Sequence, residues 1–449
     1  MEYNSISTMV SKKLQLKKYI QSFFLEKYII FLLPFLIVLS KFFLELSLII
    51  LFLLFLLNAS FKKNFLIFDK KIFFFFFLFY IYLIIRYFFR NADYDSISII
   101  FFFRYYFYII ALYYFLNLRK SLINLFIKSI IIVFFILVFD AIFQYIFGFN
   151  LINYPKPDID RVSSFFGKES ILGSFLVRFL PFLYFPLLIY EKKKNSLKFH
   201  FIFFLIFLTN IVIFISGERT SFALMILLNL YLFLMLPNLR KKIIVLFVSL
   251  LILIGSILFL DHNLRERIIN KTYNEITNLN IVSNTGYLDP SLKTFKFYIY
   301  SGAHNGYYLT AYNMFLDNIL FGQGPRSYRY LCKEDKFKVT KETEKNPFTN
   351  EYYNFNCSTH PHNYYIQLLA ETGLFGFLFV IYIFFLLILN ISKEYFSSKK
   401  KNLFKRVLYG SFLINLWPLF PTGNFFNNWL IIVAIIPLSF LFLKKNVSI

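Results

Sequence analysis

The sequence predicts an all-α polytopic membrane protein with about 12 transmembrane helices and one large, partly helical outer loop. Of its 449 residues, 58% are hydrophobic and 16% are charged, whereas soluble domains average about 25% charged residues. Uncharged runs such as Ile72–Ile85 and Ile243–Leu260 supply this excess, and the second reaches the length needed to cross a bilayer. The polar, Lys-rich N-terminus is not followed by a small-residue cleavage site, so no cleaved signal peptide is expected.

The apolar runs divide the chain into four regions. These are a cytoplasmic N-terminal tail at 1–27, transmembrane helices 1–9 at 28–260, a large periplasmic loop at 261–363, and helices 10–12 with a short cytoplasmic tail at 364–449. The predicted spans lie at 28–40, 42–58, 72–89, 98–116, 122–147, 171–190, 199–215, 221–236, 243–260, 364–391, 407–420 and 428–443.

The net charge of +24 reflects membrane topology and not nucleic-acid binding. Basic runs fall on loops predicted to be cytoplasmic, at 192–194, 240–242, 399–401 and 405–406. Because an excess of Lys and Arg marks the cytoplasmic loops, both termini are predicted to lie inside. Basic clusters beside membrane helices usually meet anionic headgroups, so the expected partner is the lipid bilayer.

Three outer regions depart from plain spanning helices. Loop 148–170 follows the fifth span, and the short turn Ser216–Thr220 joins the seventh span to the eighth. Within the loop at 261–363, the apolar positions of 307–319 recur at helical spacing, and Gly322–Pro325 ends that helix. A loop of this length without structure is usually functional or disordered, and this one is predicted to be partly helical.

Both cysteines, Cys332 and Cys357, lie in this loop. An oxidising periplasm permits a disulfide, and closing a loop of that length would stabilise the folded segment by about 3 kcal/mol. We therefore predict that they pair. The alternative is two unrelated thiols.

Charged groups near the hydrocarbon region cost about 2.5–3.5 kcal/mol each on insertion scales, so they require a reason. Arg219 stands at the outer end of two helices. It either snorkels to the headgroups or pairs with Glu218, or it anchors an anionic headgroup, because a guanidinium fork matches phosphate oxygens. Arg104 and Arg178 admit the same argument more weakly, and a pairing of Asp140 with one of them would make that arginine structural.

The run Cys357–Asn363, immediately before the tenth span, contains His360 and His362. Two histidines one residue apart suggest a metal site, but no third ligand stands at close spacing, and neither a metal nor a cofactor is expected. Alternatively, His362 is a general base, since imidazole titrates near neutral pH and can take a proton from an attacking hydroxyl. A lone histidine at a helix start is more often a cap or a bystander.

The stretch HNYYIQLLAETGLFG at 362–376 resembles the signature of the O-antigen ligase family. The SGERTSF turn at 216–222, the segment DNILFGQGPRSY at 317–328, the HPHN run and the topology are likewise similar to the O-antigen ligase and polymerase superfamily. The resemblance is best from about residue 160 to 390. The segment RVSSFFGKESILGS at 161–174 looks like the polymerase branch in particular.

The resemblance implies a metal-independent, GT-C-like glycosyltransferase of the bacterial inner membrane whose active site faces the periplasm. The donor would be a glycan on undecaprenyl diphosphate. His362 matches the family histidine proposed to activate the acceptor hydroxyl, and Arg219 matches the arginine that binds the diphosphate. The acceptor would be lipid A-core in ligation of O-antigen, the growing chain in its polymerisation, or a protein hydroxyl in a third branch.

The chain departs from the ligase pattern in two places. Where ligases carry a second arginine, SGAHNGYY at 301–308 has His304, and Phe377 replaces the Thr that follows the last Gly of the signature. These differences leave the polymerase open, and either Arg326 or Arg329 is a hypothetical substitute for the missing arginine. The substrate-binding residues we expect are Arg219, Arg326, Arg329, His360, His304 and Arg104.

A transporter or polysaccharide flippase is the rival class, because it too has about twelve apolar helices. Transporters commonly show inverted repeats and broken helices in matching positions of their two halves. This sequence shows neither, and it concentrates His, Cys and Arg in one outer loop, which favours an enzyme. A purely structural membrane protein would explain neither the HPHN run nor Arg219.

Overall fold

The computed structural model describes residues 25–62, 70–90, 94, 96–273, 302–338, 357–397 and 402–443. Of these described residues 78% are helical, and none of them lies in a strand. This confirms the predicted all-α membrane fold. The predicted N-terminal tail lies outside the described residues as far as residue 24.

The first half of the chain forms the membrane body. Its helices are α1 (25–39), α2 (Lys41–Lys62), α3 (Lys70–Phe88), α4 (Arg104–Leu118, after a 3₁₀ segment at Ile97–Phe103), α5 (Lys120–Phe147), α6 (Leu172–Phe179), α7 (Pro181–Lys192), α8 (Ser196–Ile215), α9 (Arg219–Met235) and α10 (Arg240–Leu260).

The outer loop and the last spans complete the fold. They comprise α11 (His262–Arg265) with a π-helical turn at Glu266–Asn270, α12 (Gly302–Asp317), α13 (Tyr328–Leu331), α14 (Tyr364–Phe396), α15 (Leu403–Asn415) and α16 (Asn428–Leu441).

Seven helical segments of the described chain are long and apolar enough to cross a membrane. They are Lys41–Asn58, Ile97–Leu118, Lys120–Phe147, Leu172–Lys192, Ser196–Ile215, Pro237–Leu260 and Tyr364–Phe396. Shorter apolar helices occur at Phe74–Phe88, Arg219–Met235 and Asn428–Leu441. Each of the spans predicted from the sequence coincides with a helix or helix pair, although several boundaries differ.

Two of the boundary differences have a simple cause. The predicted span 171–190 is divided between α6 and α7, because Pro181 lacks a backbone N–H and begins a new helix. The predicted span 407–420 ends early at Asn415, shortly before Pro418, and residues 416–427 form an irregular outer segment. We call residues 416–427 the final outer segment.

A break in α14 joins the outer loop to the membrane body. Gly373 leaves the helical conformation at φ 65° and ψ −161°. Gly322 of the outer loop packs directly on this break, where a Cβ atom would lie 2.5 Å from the nitrogen of Gly373. Only glycine permits two backbones to approach this closely in a left-handed conformation.

Candidate functional site

His362 lies at the start of α14 and is held by the final outer segment. Its backbone adopts the left-handed conformation, with φ 57°. The nitrogen of Thr422 donates to the carbonyl oxygen of His362 at 2.7 Å, and the hydroxyl of Thr422 accepts from the nitrogen of Tyr364 at 2.9 Å. Asn363 caps the helix by accepting from the nitrogens of Tyr365 and Ile366. These contacts fix the imidazole despite its uncommon backbone conformation.

Three histidines meet at this point. The ring centroid of His360 lies 4.1 Å from that of His362, and the ring centroid of His304, on α12, lies 5.3 Å from it. Tyr307, also on α12, places its ring 5.7 Å from His362. Residues 58 positions apart in the sequence therefore form one cluster, which we call the histidine cluster.

Burial lowers the pKa of each imidazole in the histidine cluster. It lowers the pKa of His304 to about 4, and the charges of His362 and Arg219 add to the effect. It lowers the pKa of His360 to about 3, where the neighbouring charges of His362 and Arg329 also contribute. Burial likewise lowers the pKa of His362. All three rings are therefore neutral at neutral pH, and a neutral imidazole can accept a proton.

Arg219 is the first residue of α9 and lies on the same side of the protein as the histidines. Its Nη1 donates to the hydroxyl of Thr272 at 3.2 Å, and its charge acts on His304. Glu218 is engaged with α6, because its carboxylate accepts from the nitrogens of Gly173 and Ser174 at 2.7 and 2.9 Å. Arg219 and His362 thus both lie within electrostatic reach of the His304 ring.

The turn that carries Arg219 is also held by Arg267, a residue that the sequence did not single out. Arg267 lies in the π-helical turn; its Nε donates to the carbonyl oxygen of Gly217 at 2.7 Å, and its Nη1 pairs with Asp160 at 2.8 Å. A Cβ atom on Gly217 would lie 2.4 Å from the carbonyl oxygen of Asp160. No motif surrounds Arg267, so only the tertiary structure identifies it.

Two of the arginines considered from the sequence have partners within the membrane body. Arg104 forms an ion pair with Glu45, with 3.2 Å between Nε and Oε2. The Nε of Arg178 donates to the Oδ1 of Asn415 at 2.9 Å. The suggested pairing of Asp140 with one of these arginines is wrong. Its carboxylate accepts from the nitrogen of Leu151 and from a serine hydroxyl, so it anchors loop 148–170.

Arg326 and Arg329 occupy different surroundings. Arg326 has a left-handed backbone at φ 63°, its nitrogen donates to Glu371 at 3.0 Å, and its guanidinium contacts the hydroxyl of Ser98. Arg329, on α13, acts electrostatically on His360. Of these two arginines, Arg329 is therefore the one whose charge acts on the histidine cluster.

A disulfide joins α13 to the segment that leads into the histidine cluster. It connects Cys332 with Cys357, whose Cα atoms lie 5.1 Å apart. Within the described residues, no group of three or more His, Cys, Asp or Glu side chains is arranged to hold a metal ion.

The fold and site define a polytopic helical membrane protein with a buried histidine cluster beside an arginine-bearing turn. Residues 201–381 match a family model described as O-Antigen ligase, and no curated protein matches the chain. The match supports the O-antigen ligase superfamily, as the sequence motifs predicted, and it covers Arg219, His304, Arg329 and His362. This family implies a glycosyltransferase-like enzyme that acts on lipid-linked glycans and acceptors in a membrane.

Proposed function

We propose that this protein transfers a glycan from undecaprenyl diphosphate to an acceptor hydroxyl at the periplasmic face of a bacterial inner membrane, without a metal ion. The product is O-antigen joined to lipid A-core or a lengthened chain of O-antigen repeats. The observation that carries the proposal is the position of His362. It contacts His304, and Arg219 acts on the same His304 ring.

The proposed step forms one bond and breaks another. The acceptor oxygen bonds to the anomeric carbon of the donor sugar, and its proton passes to the neutral ring of His362. The bond between the anomeric carbon and the diphosphate oxygen breaks, and the diphosphate leaves with the electron pair. Arg219 stabilises the charge that develops on this leaving group. The imidazolium then loses its proton to water, and the enzyme returns to its starting state.

The other predicted residues receive different support from their surroundings. His304 contacts His362 and is acted on by the charge of Arg219, which supports a role beside the donor phosphate. Arg329 is a better substitute for the missing family arginine than Arg326, because its charge acts on His360 of the histidine cluster. Arg104 is committed to Glu45, so its contacts support a role in helix packing instead of substrate binding.

The test is the activity of two alanine variants with matched controls. His362→Ala and Arg219→Ala should each abolish transfer while the protein remains in the membrane. The controls are His200→Ala and Arg240→Ala, which remove the same side-chain types from near the N-terminal ends of α8 and α10. Transfer by His362→Ala at the wild-type rate would refute the assignment of the base. Transfer by Arg219→Ala at that rate would refute the phosphate contact.

The acceptor is identified by the lipopolysaccharide banding pattern of a deletion strain. Loss of all attached O-antigen indicates ligation, whereas single capped repeats indicate polymerisation. A protein O-oligosaccharyltransferase would use the same residues, and it would instead leave the lipopolysaccharide bands intact and remove glycan from proteins.

A flippase receives no support from the cavity between α5 and α8. This cavity has a volume of about 470 Å³, and all its lining residues are apolar, among them Phe139, Phe143 and Phe204. A glycan needs hydrogen-bond partners that such a lining does not provide. The cavity is therefore suited to hydrocarbon, whereas the polar groups capable of chemistry lie at the outer rim.

A further inference from the structure

A second arginine, Arg329, acts on the histidine cluster at a different imidazole from the one on which Arg219 acts. Arg329 lies on α13, three residues before Cys332, and His360 lies three residues after Cys357. The disulfide between these cysteines holds the two segments together, with 5.1 Å between the Cα atoms. Arg329 and His360 are consequently neighbours by covalent constraint as well as by packing.

Both side chains carry a buried nitrogen atom that is not satisfied. The Nε of Arg329 and the Nε2 of His360 are each buried and have no hydrogen-bond partner among the described residues. Within the residues that the structure describes, no Asp or Glu side chain forms an ion pair with Arg329. Buried polar groups are rarely left unpaired, because the desolvation penalty is then uncompensated. Two such atoms, on segments joined by a disulfide, indicate a ligand that satisfies them.

His362 lies next to both of the other imidazoles, with its ring centroid 5.3 Å from that of His304 and 4.1 Å from that of His360. The charge of Arg219 acts on His304 and the charge of Arg329 acts on His360, so the two cations are associated with different imidazoles. A general base must contact the attacking hydroxyl, whereas the leaving group departs from the far face of the anomeric carbon. If Arg219 holds the donor diphosphate, then Arg329 and His360 lie beside the acceptor.

We propose that Arg329 and His360 form an anion subsite that binds a carboxylate or phosphate group on the acceptor glycan. The guanidinium supplies the charge and a directional fork, and His360 supplies a further hydrogen bond. The substrate is accordingly an acidic glycan. Assignment of the subsite to the acceptor rests on the proposed function, whereas anion binding itself does not.

Binding of defined oligosaccharides to the purified full-length protein tests the subsite without requiring transfer. The probes are a galacturonic acid trimer, its neutral methyl ester and a mannose trimer that carries one phosphate. At least one charged probe should bind about tenfold more tightly than the neutral ester, as expected for one charge-assisted hydrogen-bonded pair. Preference for the carboxylate or for the phosphate identifies the group. Equal binding of all three probes would overturn the proposal.

Matched variants assign the effect to Arg329. Arg329→Gln should remove the preference for the charged probe, and Arg329→Lys should restore part of it. Lys333→Gln removes a charge from an exposed position on the same segment and should leave the preference unchanged. A charge preference that survives in Arg329→Gln would contradict the assignment.

Transfer kinetics separate this proposal from the proposed function. With an acidic acceptor, Arg329→Gln should raise the KM for the acceptor about tenfold while kcat is retained. If the wild type transfers glycan and the variant has an unchanged acceptor KM, the acceptor subsite is wrong. If the wild type binds acidic glycan but transfers none, the proposed function is wrong and the anion subsite stands.

Discussion

Replacement of Thr422 by valine is expected to slow transfer, although Thr422 itself touches no substrate. The hydroxyl of Thr422 accepts from the nitrogen of Tyr364 at 2.9 Å, and its nitrogen donates to the carbonyl oxygen of His362 at 2.7 Å. Valine has nearly the same shape but no hydroxyl, so the N–H of Tyr364 loses its partner. An unsatisfied buried donor costs about 1–3 kcal/mol, and His362 can relieve this cost by leaving its left-handed conformation.

The expected loss follows from these values. If about 1.4 kcal/mol of the cost of the unsatisfied Tyr364 N–H is added to the activation free energy of transfer, kcat falls about tenfold. The assay is steady-state transfer, together with thermal unfolding of the purified variants. Thr422→Ser keeps the hydroxyl and should retain wild-type kcat, which separates the hydrogen bond from general disruption. A Thr422→Val enzyme with wild-type kcat would show that the final outer segment does not position the base.

Three further predictions concern the turn, the base and the disulfide. Arg267→Gln should raise the KM for the donor about tenfold, because it loosens the turn that carries Arg219. Glu191→Gln is the control, since it breaks the ion pair with Lys242 away from this turn. An equal rise in the donor KM in both variants would argue against a specific role of Arg267. Burial lowers the pKa of His362 from the ordinary histidine value of 6.5, so the fall of kcat on the acid side of the pH profile should have its midpoint below pH 6.5. A midpoint above pH 6.5 would contradict the assignment of His362 as the base. Intact mass without reductant should show no alkylation of Cys332 or Cys357, and reduction should lower the free energy of unfolding by about 3 kcal/mol.

The helical membrane fold was predictable because long uncharged runs have few alternatives to spanning a bilayer. The interruptions were harder to predict. Pro181 divides one span, yet the residues on both sides are equally apolar, so hydropathy alone gives no indication of the division. The early end of α15 at Asn415 has the same explanation, because the segment that follows remains rich in Trp, Leu and Phe.

The candidate site was predictable only where a motif marked it. His362 and Arg219 belong to recognisable runs, and the structure brings them to the same rim of the protein. Arg267 and Thr422 act through tertiary contacts between segments far apart in the chain, and their neighbours in the sequence carry no pattern. The expected pairing of Asp140 with an arginine failed for a related reason. Its carboxylate accepts from the backbone nitrogen of Leu151, and backbone partners cannot be inferred from the charges in a sequence.

The break in α14 has a consequence for how the protein can be divided. At Gly373 the regular backbone hydrogen bonds within the helix are interrupted, and loop residues supply replacements. The nitrogen of Gln323 donates to the carbonyl oxygen of Ala370 at 2.9 Å, and the nitrogen of Gly324 donates to that of Glu371 at 2.8 Å. A hydrocarbon environment offers no water to replace these bonds. Excision of the outer loop would therefore leave a spanning helix with bare peptide groups. The loop residues that pair with this break are therefore a part of the membrane body and not of a detachable ectodomain.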